Sequence, residues 1–214
     1  MKRTLGLTLL LFATLFSCMR QEKPLPAELS RAESVMWEHP DSALSILRSM
    51  PQSSLSIGKN YATWALLLAQ ARDKVYGKRL PDSLNIPSSD KLVQDAMDYF
   101  EKEGDLKRMA QTYYYKGQLL KDQKKITEAM PFFLKSKEMM TKLDEPLFTY
   151  LICQSLGNMY RYQDLYEESL VQLKDAYQYA LRSGNGERIS YALSEELMCI
   201  KMKWIVPCSI LVNH

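Results

Sequence analysis

The chain has 214 residues, 46% of them apolar and 25% charged, which excludes wholesale disorder and allows either one ordinary core or a row of small units sharing one. Eight glycines against thirteen tyrosines and twelve methionines suit helices better than a turn-rich sheet. The net charge of +3 falls to +1 once Lys2 and Arg3 are set aside with residues 1–17, which leaves no electrostatic case for nucleic acid.

Lys2 and Arg3 precede an uncharged stretch from Thr4 to Met19 with an apolar centre from Leu5 to Phe16, the layout of a cleaved signal peptide over residues 1–17. That run is shorter than the ~20 residues a spanning helix needs. Leu15-Phe16-Ser17-Cys18 resembles the bacterial lipobox. The resemblance implies a lipid on Cys18 that holds the chain to a membrane of the cell envelope, on its periplasmic or its surface face. Residues 18–27, polar and carrying Pro24 and Pro26, have the composition of a short extended tether. With Cys18 lipidated, Cys153, Cys199 and Cys208 remain, odd in number and without C-x-x-C spacing, so neither a disulfide framework nor a metal site is expected.

Residues 28–196 read as helix hairpins. The first pairs Leu29 to Glu38 with Asp41 to Met50 across Pro40, and the second pairs Tyr61 to Tyr76 with Lys91 to Glu103 across a polar loop holding Pro81, Pro87, Ser88 and Ser89. Gly104 closes that helix. Laying residues 110–143 over 150–183 then shows a period of 40: Gly117 falls on Gly157, Ala129 on Ser169, Phe133 on Leu173 and Ser136 on Ala176. Within each copy apolar and small residues recur at three and four, so each copy is two antiparallel helices. The glycine stands twelve residues before the Ala or Ser in both, which lets the two helices of a hairpin approach closely. Pro131 is tolerable if Thr127 is the N-cap and the proline lies in the first turn. A fifth hairpin opens at Gly186. In the tail, 197–214, the register is lost: Leu197 stands where the packing glycine is due, and apolar Trp204 to Val212 is interrupted by Pro207. Either the chain is truncated or frame-shifted near residue 196, or this tail docks on the last hairpin.

The two copies resemble the tetratricopeptide repeat (TPR) family, in the first through Tyr113, Gly117, Leu120, Ala129, Phe133 and Ser136, in the second through Leu156, Gly157, Tyr160, Ser169, Leu173 and Ala176. The family period is about 34, so the extra residues imply longer helices or loops. Together with the export signal, the chain looks like the TPR lipoproteins and membrane-anchored TPR regulators of the Bacteroidetes. The resemblance implies an all-α, TPR-like α-solenoid of antiparallel helix hairpins whose first helices line a concave, peptide-binding face. Carried over position by position, that face takes Gln111, Tyr114, Gln118, Lys121 and Asp122 from one copy and Leu151, Gln154, Asn158, Arg161 and Tyr162 from the next. Aligning Trp64 with Tyr113 adds Arg72 and Asp73. Arg72, Lys121 and Arg161 then form a basic row, one residue per repeat, set to meet acidic groups or a terminal carboxylate.

Catalytic chemistry is not legible. The two histidines are His39, in a His-Pro, and His214, at the terminus, and no zinc-protease, nucleophile-elbow, phosphate-loop or dinucleotide pattern occurs. The expectation is a non-enzymatic scaffold that binds a protein or peptide, needs no cofactor or metal, and touches membrane only through its lipid. The sensory half of a membrane-anchored regulator is the alternative, and glycan binding a third reading.

Overall fold

The computed structural model describes residues 24–51, 55, 58–76 and 89–211, with side chains as far as Trp204. The signal peptide, Cys18 and the loop around Pro81 and Pro87 lie outside the described residues. Among the described residues there are nine helices and no strand: α1 (Ala27–Val35), α2 (Pro40–Ser49), α3 (Lys59–Tyr76), α4 (Ser89–Glu103), α5 (Leu106–Asp122), α6 (Ile126–Lys142), α7 (Pro146–Arg161), α8 (Tyr166–Ser183) and α9 (Gly186–Leu211). The fold is all-α and repeat-like. Successive helices pack as antiparallel neighbours, and α1–α2, α3–α4, α5–α6 and α7–α8 are the four expected hairpins.

First and second helices separate into two layers. In one, α1 packs on α3 and α3 on α5, Tyr114 of α5 meets Phe148 of α7, and Arg161 of α7 meets Glu195 of α9. In the other, Lys137 of α6 donates to Gln172 and Asp175 of α8. The core lies between the layers, with Leu29, Leu47, Leu66, Leu92, Phe100, Phe133, Ile152 and Leu156 sealed from solvent.

What fixes the spacing inside a hairpin is the glycine. A Cβ built on Gly117 would stand 3.0 Å from the Phe133 ring, and one on Gly157 would stand 2.7 Å from the Leu173 side chain. The large residue of each second helix therefore sits where a first-helix side chain would otherwise be. The small residues beside it add hydrogen bonds: Ser169 Oγ donates to the Gly157 carbonyl at 2.8 Å, and Ser136 Oγ to the Ala110 carbonyl at 2.7 Å. These buried hydroxyls are thereby satisfied.

The turns between helices repeat more finely than the sequence does. Gly104, Lys124, Asp144, Asp164 and Gly184 all have positive φ, between 55° and 75°. Twenty residues separate each from the next, half the sequence period. After α5, α6 and α7 the turn is the same: the N–H two residues beyond the last turn reaches back across it (Lys125 to Leu120, Glu145 to Met140, Leu165 to Tyr160, at 2.9 to 3.1 Å), which caps three orphan carbonyls. With α5 to α8 running 16 to 18 residues, most of the 40-residue period lies in the helices.

Two local expectations change. Thr127 is not an N-cap: α6 opens two residues earlier, at Ile126 with Lys125 as cap, and Pro131 lies in the second turn. The left-handed Lys124 dictates where the chain can re-enter a helix, and Thr127 is exposed, so the carbonyl that Pro131 cannot serve is left to water. The tail does not break at Pro207 either, for α9 runs to Leu211. Leu197, at the position of the packing glycine, is 57% exposed.

Replacing Gly157 by alanine should lower stability by about 1 to 3 kcal/mol from overpacking, against a helix-propensity gain of under about 1 kcal/mol. Chemical denaturation measures it. The loss should shrink in a Leu173→Ala background, and equal losses in both backgrounds would refute the contact.

Candidate functional site

The first-helix layer carries the residues read as a binding face, and it treats them unequally. Arg72, near the C-terminal end of α3, is 4% exposed, and burial lowers its pKa, with Arg48 adding to the effect. Lys121 is half-buried at the end of α5, where its charge acts on Asp73. Asp73 is pushed up, first by burial and then by the Asp122 carboxylate. Arg161 is 9% exposed and committed: its Nη2 donates to Glu195 at 2.9 Å and to Asn158 at 2.8 Å. The basic row is thus largely drawn into the protein. Its third member is neutralised by a carboxylate on α9 that is itself buried.

Tyr114 is structural in its surroundings. It is 4% exposed, edge-on to Phe133, Phe148 and Tyr115, and its hydroxyl accepts from Gln118 Nε2 at 2.6 Å. Burial drives its pKa well up. Gln118 Oε1 is buried with no donor among the described residues. Gln154 is half-buried, with its amide on the Tyr150 hydroxyl. Asn158 is half-buried too. Tyr162 is the open one, at 78% exposure.

Sequence reasoning missed the partners that cross the layer. Tyr191 and Met198 of α9 fall 40 residues after Leu151 and Asn158, so the same period would have placed them on this face. They are 50% and 40% exposed, and Tyr191 hydrogen-bonds the Glu195 carboxylate. At the other end Trp37, in the turn between α1 and α2, reaches across to three helices. Lys74 Nζ lies 3.3 Å from its ring centroid, the Arg188 guanidinium 5.9 Å, and the Phe148 ring meets it edge-on at 5.5 Å. Nearby, Arg108 of α5 pairs with Glu33 of α1 at 2.7 Å. No periodic signal marks Trp37, because it lies outside the aligned copies.

Elsewhere, a cavity of about 450 Å³ between α3 and α4 is lined by Tyr61, Lys91, Asp95 and Tyr99. Its polar groups are already joined, with Tyr61 Oη and Lys91 Nζ both donating to Asp95 at 2.7 to 2.8 Å. Among the described residues no helix is long and apolar enough to cross a membrane.

No protein-family model matches the chain, and no curated protein does. Among solved structures it is similar to BtubC (BKLC) from P. vanneervenii, at 13% identity and a TM-score of 0.49, over 88% of this chain and 76% of that one.

Lys74 gives the face a measurable pH signature. Burial and the Arg188 charge bring its pKa down from 10.5 to about 8, against the pull of Asp73. Between those values the unfolded chain holds a proton that the folded chain has released, so this group makes stability rise with pH from about 8 towards 10.5. Below about pH 8 the full cost of burying the charge is present. Lys74→Met should therefore be more stable than wild type near pH 7 by a margin that narrows between pH 8 and 10. Urea titrations across that range read it, and a constant margin would contradict the assignment.

Proposed function

We propose that this chain is a lipid-anchored scaffold of the tetratricopeptide type, held to a bacterial envelope membrane through Cys18, whose first-helix face binds a protein or peptide without catalysis. The observation that carries the reading is the exposure of Tyr162 and Tyr191, at 78% and 50%, around a neutralised Arg161–Glu195 pair. Tyrosine offers a large ring and a hydroxyl at little entropic cost, and exposed aromatics grouped on one face mark contact surfaces. Met198 extends the patch, and Gln154 and Asn158 supply amides for a peptide backbone. The long stacked helices and their glycine contacts make the face preformed, which keeps the ordering cost of binding low.

The sensory half of a membrane-anchored regulator remains the second reading. It is favoured by the outer side of α9, where Leu193 and Leu197 are exposed although earlier first helices are covered by a second one.

Tyr162→Ala combined with Tyr191→Ala should reduce capture of the partner from an envelope extract at least tenfold, while circular dichroism stays helical. Capture that survives would sink the assignment. Lys121→Glu tests the polar end of the same face, whereas Arg161→Glu is a poor probe because it would put two buried carboxylates together. The anchor is tested separately by metabolic palmitate labelling, which Cys18→Ala should abolish; undiminished labelling would refute it.

A further inference from the structure

The two best-placed tryptophans are held in different ways. Trp64 is 6% exposed and locked, its indole Nε1 donating to the Leu47 carbonyl at 2.9 Å. Trp37 is half-buried in a turn, and its indole N–H has no acceptor among the described residues. The hairpin that carries it is anchored independently, through sealed Leu29, Ala32, Met36, Ala43 and Leu47. Trp37 can therefore leave its seat by rotating its side chain, with the backbone fixed.

The seat is electrostatically incomplete. Lys74 and Arg188 both lie against the ring, and among the described residues neither makes an ion pair; Asp73 attracts Lys74 without contacting it. An indole face attracts a cation but does not neutralise it, so two like charges share a partly desolvated place in which Asp73 attracts Lys74 but, among the described residues, no carboxylate is in contact with either. A carboxylate would complete it, and the edge of Phe148 would remain as an apolar wall.

We propose that Trp37 is a swinging gate on the first-helix face: closed, it lies under Lys74 and against Phe148; open, it admits a partner segment in which a carboxylate stands next to a bulky apolar side chain. The apolar group takes the place of the indole beside Phe148, and the carboxylate pairs with Lys74 and Arg188. This rests on the reading of that face as the binding surface and names the chemistry of what enters it.

The test uses the full chain labelled with 5-fluorotryptophan, the Trp37 resonance being assigned in the fluorine NMR spectrum by its loss in Trp37→Phe. N-acetylphenylalanine, which carries a ring and a carboxylate, is the probe, and N-acetylphenylalaninamide is its neutral control. The acid should move the Trp37 resonance towards that of a solvent-exposed indole while Trp64 stays put. The amide should need at least tenfold more, and Lys74→Met should erase that preference. A Trp37 resonance that neither compound moves, or that both move equally, overturns the gate. An unmoved Trp37 alongside capture that depends on Tyr162 and Tyr191 removes the gate alone, whereas a responsive Trp37 alongside capture indifferent to those tyrosines removes the binding patch.

Discussion

The close approach of paired helices at Gly117 and Gly157 sets the geometry on which the other contacts depend. With a Cβ at either position the facing side chain would have to give way, Phe133 by a few tenths of an ångström and Leu173 by more, and the close contact of the two helices would loosen. At the present spacing Ser169 reaches the Gly157 carbonyl, and the contact continues into the next helix, where Cys199 Sγ lies 3.3 Å from Ser169 Oγ. Gly157, Ser169 and Cys199 thus form a column through α7, α8 and α9. Each member is small because its neighbour on the next helix fills the space.

The same approach explains which parts of the fold were legible. Small-against-large pairing is a local chemical demand, so Gly117 with Phe133 and Gly157 with Leu173 stand out as a period of 40 in the bare sequence. The finer period of 20 did not stand out, because the left-handed turn positions are filled by Gly104, Lys124, Asp144, Asp164 and Gly184 in turn. Only two of the five carry the residue that advertises such a turn; Asp and Lys accept it at a cost that the packed helices on either side offset. Pro131 was misplaced for the same reason: the turn geometry, invisible at Lys124, outranked the hydroxyl of Thr127.

The proposed binding face was legible as a set of positions but not as a set of states. Repeat arithmetic places Arg161 on the first-helix layer, and it is there. It cannot say that Glu195 stands opposite, 34 residues away, and neutralises it. Breaking such a pair by removing one partner is costly, whereas the intact pair contributes little net stability. Its consequence is registration, since it fixes α9 against α7 at one turn of each helix.

That registration changes what the proposed binding face offers a partner. A row of free basic side chains would select a partner by charge, with an affinity that salt screens. Here Arg72 and Arg161 are buried, and the side chains standing out between α7 and α9 are Tyr162, Tyr191 and Met198. Polar groups that are already satisfied add little to an interface, while exposed rings on a rigid helical frame bury apolar area with little loss of freedom. Cationic character is concentrated instead at the far end, where Lys74 and Arg188 flank Trp37. The face proposed for binding is therefore divided along its length into an aromatic end and a cationic end, and under that proposal a ligand that spans it must match that order.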